Sequence, residues 1–457
     1  MAIIPKYQLK ELFECGDLIS QSSMTDLIDS TYNPTLIAGG NVNITCVNTP
    51  SGPQITISST GGGGGGGSSI IVPGAGSCST VRCGVGNVAS GQGSAALSGC
   101  DNQALDLFSF VGGGAYNTAS GYYMGFGSSA VVAGGSNQAS GAVSFVGGGA
   151  CNIASEMTSF VGGGFMNTAS CSGSFVGAGQ ENIASGTSAF IGSGFGNTAS
   201  CCYTVIGGGE CNTATEDAAA VLSGVKNSAF AKFSSIQGGE CNNINATACY
   251  GAIGGGKFNF ATGKNDTIAG GFCNFTANFC NFIGGGSCNS ASGYYGTFGN
   301  AVVVGGGNNT ATGVASFIGG GGNNTASFPV AFIGGGSQNT ASCYSAAVMA
   351  GEGNTASGYR STVVAGSNNM ASGCWSFIGG GGCNTASGCY SAIIGSCCNQ
   401  ATCSCAMIIG TCLTSDKDNT TFVNQLSIKN ILNESNCCNL SGEIYRCSTT
   451  NALYIIP

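Results

Sequence analysis

The feature that most constrains this chain is a period of fifteen residues. Written from one Asn to the next, Asn167 to Cys211 falls into three lines, NTASCSGSFVGAGQE, NIASGTSAFIGSGFG and NTASCCYTVIGGGEC. The anchoring Asn recurs from Asn87 to Asn399, always fifteen residues on except for spacings of twenty (Asn117 to Asn137, Asn289 to Asn309) and seventeen (Asn242 to Asn259). A short period held over such a length signals a repeat architecture in which each unit buries its apolar face only by stacking on its neighbours. Each unit carries several Gly and a β-branched or aromatic pair such as Phe160-Val161 or Phe377-Ile378. Both features disfavour helix and favour short strands.

Fifteen residues closing on themselves leave room for two short strands and two bends, with the Gly runs, such as Gly162-Gly163-Gly164, supplying bends at positive φ. Stacked coils lie about 4.8 Å apart, so equivalent residues form ladders. Asn ladders can then hydrogen-bond along the stack, and the small residues Ala169 and Ser170 let the coil close tightly. Phe and the Val or Ile after it are adjacent and must point to opposite faces of their strand. One of them fills the coil. Ordering a Gly-rich coil costs more than two or three large side chains return, so the second apolar face is expected to pack on sister chains. The expectation is an all-β parallel β-solenoid (β-roll) of about twenty fifteen-residue coils, homotrimeric, with a short helical N-terminal segment.

The SFVGGG and NTASG lines resemble the head repeats of bacterial trimeric autotransporter adhesins over roughly Cys83 to Cys412. That resemblance implies a left-handed parallel β-roll in trimers and a non-enzymatic surface-binding role. The present unit differs in its fifteen-residue length and extra Gly.

Flanking segments divide the chain further. Leu9, Leu12 and Phe13 form an apolar stripe, and Ser22 or Ser23 can cap a second short helix through Met24, Leu27 and Ile28. The stretch LKELFECGDLISQSSMTDLIDSTYNP resembles the N-terminal segment of phage tail fibres, which implies a virion-attachment end over 1–34. Alternation over 35–60, with Val42 and Ile44 answered by Ile55 and Ile57 across a turn, predicts a β-hairpin. Seven glycines, Gly61 to Gly67, mark a flexible linker over 61–77, followed by a repeat shaft over 78–412. The last segment, SGEIYRCSTTNALYIIP, resembles the β-structured ends of phage fibre proteins, and 413–457 reads as a cap on an open solenoid edge.

Composition narrows the function. With 7% charged residues, 83 Gly and a net charge of −8, the chain is neither ordinary globular nor charged and disordered. Only 11 Lys plus Arg argue against a nucleic-acid partner. No apolar run reaches the roughly eighteen residues of a membrane span, and the start lacks a secretory signal pattern. The chain has no His and few, scattered carboxylates, so neither base-assisted nucleophiles nor an acid and base pair has a visible home. GGGKFNF at Gly254 to Phe260 lacks the Lys-Ser/Thr ending of a phosphate loop, and no cofactor is implied.

The two twenty-residue coils share ASGYY, with Tyr122, Tyr123 and Phe126 in one and Tyr294, Tyr295 and Phe298 in the other. Their extra residues must loop out, either as aromatic tips for a host glycan or receptor or as bulges whose rings fold back on the coil. The 27 Cys include pairs one coil apart: Cys273 and Cys288, Cys374 and Cys389, Cys383 and Cys398, Cys397 and Cys412. Coil stacking brings such pairs near the separation a disulfide needs. Cys15, Cys46, Cys437, Cys438 and Cys447 lie outside the shaft and could link chains. Two other readings stay open: small apolar fillers, or a thiolate site at the dense group Cys397, Cys398, Cys403 and Cys405. The functional expectation is a rigid fibre for host attachment on a virion surface or outside the cell. Its partners would be sister chains, a virion or neighbouring subunits through residues 1–60, and a host glycan or receptor. The alternative is a self-assembling, disulfide-linked extracellular filament.

Overall fold

The computed structural model describes residues 71–425 apart from 76, 77, 83, 126 and 294–298, together with the backbone of strands Val42–Thr49, Gly52–Ser59, Leu432–Asn433, Ile444–Arg446 and Leu453–Ile455. The helical segment expected over 6–31 and the Gly61–Gly67 run lie outside the described residues. Val42–Thr49 pairs antiparallel with Gly52–Ser59, placing Ile44 opposite Ile57 and Cys46 opposite Ile55. Ile71–Pro73, in the stretch read as linker, pairs antiparallel with Thr80–Arg82.

The chain divides into two compact units, Met1–Asn182 and Ile183–Pro457. Both are built from the same coil, and the fold is an all-β parallel β-solenoid of about 22 turns with no helix among the described residues. In the first unit Phe145-Val146 lies parallel and in register with Phe160-Val161, and that pair with Phe175-Val176. The second ladder runs through Ile153-Ala154 and Thr168-Ala169. In the second unit Phe317-Ile318 pairs with Phe332-Ile333, and Thr325-Ala326 with Thr340-Ala341.

A third stack, not anticipated from the sequence, completes each coil. Single-residue parallel bridges run Gly135 to Ala150 to Phe165 in the first unit and Gly307 to Gly322 to Ser337 in the second. The Gly run is therefore a bend followed by one more extended residue: Ala150 N–H donates to Gly164 O at 2.9 Å. Each coil is a three-sided loop.

Two of its corners carry side chains at positive φ, where only Gly was expected. The residue before the anchoring Asn (Cys151 φ 57, Met166 φ 57) and the residue two before the Phe (Val143 φ 59, Thr158 φ 57) are left-handed. Each such non-Gly residue costs about 1–2 kcal/mol, more at β-branched Val. The strain persists because the ladders on either side fix the corner; Met166 N–H, for instance, donates to Ala150 O at 3.0 Å. Within the Gly run the needs differ. Gly164 has φ 101, and a Cβ there would run into the Gly179 carbonyl. Gly163 tolerates one, its nearest neighbour being Gly148 O at 3.7 Å, and Ala178 occupies the equivalent place one coil on.

The interior is narrow and made of four side chains per coil. Val146, Val161 and Val176, the Ala of each Thr-Ala pair, the Ser before the Phe, and the Asn are all buried. Asn152 shows how the polar member is satisfied. Its Nδ2 donates to Asn137 Oδ1 (3.1 Å), Gly148 O (2.9 Å) and Gly164 O (2.8 Å). Its Oδ1 accepts from the backbone N–H (3.0 Å) and Nδ2 (3.2 Å) of Asn167. One amide thus ties its own coil to the coils below and above, which is what makes an interior Asn tolerable.

The irregular coils keep register. Phe110 pairs with Ala130 and Thr118 with Gln138 across the twenty-residue unit, so the extra residues leave the wall between Ala119 and Ala130. In the seventeen-residue unit the surplus is absorbed at 245–251, where Ala248 N–H donates to Asn245 O and Gly251 N–H to Ala248 O. Beyond the last repeats Thr421–Val423 adds in parallel to Met407–Ile409. Leu432–Asn433, Ile444–Arg446 and Leu453–Ile455 form a separate three-stranded sheet.

Candidate functional site

With the interior filled, any chemistry with a partner must use the outside of the coil, and the ladders decide what is presented there. The first residue of the Phe-Val strand points out, as adjacency requires. Phe145, Phe160 and Phe175 stack face to face at 5.1 and 4.8 Å, and Phe317 on Phe332 at 5.2 Å. Phe190, Phe282 and Phe377 each remain 37–39% exposed. These rows are aromatic surface in regular array.

At the corner preceding the Phe strand the second unit carries a row that the sequence reading missed. Tyr344 stacks on Tyr359 (5.6 Å), Tyr359 meets Trp375 edge-on (6.1 Å), and Trp375 stacks on Tyr390 (6.3 Å). The Arg360 guanidinium lies 5.2 Å from the Tyr359 ring centroid and 4.6 Å from that of Trp375. The signal was present as aromatics at two adjacent positions of successive repeats. Only stacking brings those two positions into one row.

Tyr122 and Tyr123 stand on the first looped insertion, 59% and 54% exposed, beside Met124 at 80%. The loop's neck is closed by Gly121 N–H donating to Ser129 Oγ (3.0 Å) and Ser128 N–H to Leu107 O (2.8 Å). Phe126, Tyr294, Tyr295 and Phe298 lie outside the described residues.

The pairs singled out by spacing, Cys273 with Cys288, Cys374 with Cys389, Cys383 with Cys398 and Cys397 with Cys412, are all exposed, free thiols in this structure. Burial and a hydrogen bond with Cys273 push the Cys288 thiol up. The dense group expected from sequence is rearranged by stacking. Cys397 and Cys398 converge with Cys412 from the next coil, their sulfurs all within 4.8 Å of one another. Cys405 sits instead on the left-handed corner shared with Trp375 and Tyr390, two residues after Cys403.

A second group joins Cys201, Cys202 and Asp217. Cys201 Sγ donates to Asp217 Oδ1 at 3.0 Å, and Lys232 Nζ pairs with Asp217 Oδ2 at 3.1 Å. These two contacts hold the Asp217 carboxyl below its usual range, the thiol contributing more, while the bond to Asp217 pushes the Cys201 thiol up. With its carboxylate already neutralised by lysine, this group has little to offer a cation.

Among the described residues one carboxylate, Asp266, is buried. Asp266 takes the place of the interior Ser; its Oδ1 accepts from Asn281 N–H (2.9 Å) and its Oδ2 from Gly263 N–H (2.9 Å). Burial raises its pKa, with these hydrogen bonds opposing. Among the described residues no helix is long and apolar enough to cross a membrane. No protein-family model matches the chain, and a search of curated proteins finds no relative.

Proposed function

We propose that the chain is the subunit of a structural fibre of a phage or phage-like virus, a rigid homotrimeric rod that attaches the particle to a host surface. The observation that carries this reading is the outward Phe row. Rings stacked at about one strand spacing form an apolar stripe that follows the ladder, and apolar stripes of that regularity are shielded by partner surface in soluble assemblies. Sister chains, which bear the same stripe at the same pitch, are its best match. The resemblance of the repeats to trimeric adhesin heads, and of the termini to phage fibre segments, supplies three chains, a virion end and a host-facing role. Exposed Tyr122 and Tyr123 suit contact with a glycan or surface receptor, since their rings pair an apolar face with a polar tip. No catalytic step is part of this proposal.

Sedimentation equilibrium on the full chain tests it first. Three chains per particle are expected, with Phe160→Glu combined with Phe175→Glu dissociating them; a wild-type monomer overturns the reading. Host-cell binding that is lost in Tyr122→Ala with Tyr123→Ala tests the adhesive half. The exposed thiols support a second reading, an extracellular filament joined by disulfides between subunits. Open-ended filaments in electron micrographs that shorten with reductant would select it over discrete fibres of one length.

A further inference from the structure

We infer that Cys397, Cys398 and Cys412 form a tri-thiolate binding site for a thiophilic divalent cation of the zinc(II) type, placed where the repeat ends. The claim goes beyond the fibre reading and does not depend on it. Three observations combine.

The first is convergence. All three sulfurs lie within 4.8 Å of one another, although two come from one coil and the third from the next. At a zinc–sulfur distance of about 2.3 Å, thiolates in tetrahedral geometry stand roughly 3.8 Å apart, so small side-chain rotations close the triangle on an ion.

The second is how the backbone fixes the arrangement. Cys383, Cys398 and Cys412 occupy the left-handed corner of successive coils, with φ of 55, 60 and 53. Cys397 is the bridge residue that pairs with Gly382. Here the coil shortens, because Leu413 rather than an Asn donates its N–H to Asn399 Oδ1, fourteen residues back. Cys412 N–H then donates to Cys397 O at 2.9 Å, which seats the Cys412 side chain beside both members of the Cys397-Cys398 pair. Elsewhere in the described shaft, Cys at this corner is followed one coil on by a single Cys at most (Cys273 and Cys288, Cys383 and Cys398). Only this place sets a Cys at the bridge position as well.

The third is charge. Three thiolates together require a cation among them. In contrast to the Cys201 group, no lysine among the described residues is paired with the ligand set. Soft sulfur donors without imidazole select zinc(II), cadmium(II) or copper(I) over magnesium or calcium. On binding, three S–H bonds break and three S–metal bonds form; up to three protons leave to solvent and the site carries a net charge of −1. Nothing is oxidised or reduced. Because all three cysteines are exposed, the fourth position stays open to water or an exchangeable ligand.

Cadmium(II) is the probe, titrated anaerobically into the reduced full-length protein in competition with a chromophoric chelator, while thiolate-to-metal charge-transfer absorption and proton release are followed. The expected result is a tight ion whose binding releases about three protons near neutral pH. Cys398→Ser and Cys412→Ser should each weaken it by at least about 100-fold, and Cys374→Ser, exposed on another corner, should not. Circular dichroism of the three variants must match wild type; because the positions are exposed, Ser at any of them leaves the core untouched. The inference is overturned if the tight class survives Cys398→Ser, if the reduced protein binds no such ion, or if peptide mapping of protein isolated without reductant finds Cys412 in a disulfide with Cys397 or Cys398.

Discussion

Replacing Asn152 by Ala tests the interior ladder at one rung. The side chain shares its two N–H hydrogens among three acceptors and accepts two bonds at Oδ1, and the neighbours do not lose equally. Asn137 Oδ1 keeps the Asn152 backbone N–H (3.1 Å), Gly164 O keeps Ala150 N–H (2.9 Å), and Asn167 Nδ2 keeps Gly163 O (2.9 Å) and Gly179 O (2.7 Å). The Asn167 backbone N–H, buried inside the coil, loses its acceptor outright. An orphaned buried N–H costs about 2 kcal/mol, and the lost side-chain bonds contribute about 1 more. The sum, about 3 kcal/mol, corresponds to a fall of roughly 150-fold in an equilibrium constant. Amide hydrogen exchange resolves it locally, because solenoid coils open with their nearest neighbours. Protection at Asn167 N–H should drop about 100-fold in Asn152→Ala, while Met166→Ala, on the exposed corner next door, leaves it unchanged. A drop of less than tenfold, or one equalled by Met166→Ala, would refute the claim that the amide ladder holds the coils in register.

Three further outcomes follow from the same geometry. Gly164→Ala, which meets both positive φ and the Gly179 carbonyl, should destabilise the first unit by more than about 2 kcal/mol in urea unfolding, whereas Gly163→Ala should stay within about 0.5 kcal/mol. Val330 is exposed and left-handed at φ 59, so Val330→Asn should stabilise the second unit by about 1 kcal/mol in thermal unfolding. The raised pKa of Asp266 means the folded chain holds that proton more tightly than the unfolded one. Stability from this group is therefore full below the ordinary value of 3.8 and lost as pH rises through the raised folded value, and the difference in urea midpoint between wild type and Asp266→Asn should change with pH in that window.

What could be read from residues alone was whatever depends on period and alternation. Fifteen-residue spacing fixes register, because a parallel ladder of identical lines has one alignment that buries every Val and every Asn together. Adjacency of Phe145 and Val146 fixes which side each takes, and the twenty-residue units had to loop out because Ala119 and Ala130 still meet their ladder partners. The third stack was hidden because one bridging residue, Ala150 or Gly322, has no alternation to betray it. The left-handed corners were hidden because propensity assigns positive φ to Gly, and Val143 or Trp375 adopts it only when the ladders on both sides leave no other path. The one-coil spacing of Cys397 and Cys412 already placed that pair together, but which other thiols join it was beyond reach. Cys405 is nearer to Cys398 along the chain than Cys412 is, yet the turn of the coil sends Cys405 to another edge and returns Cys412 to Cys397. Local composition carries strand, bend and face; which side chains from different coils meet is set by where the closed loop comes back upon itself.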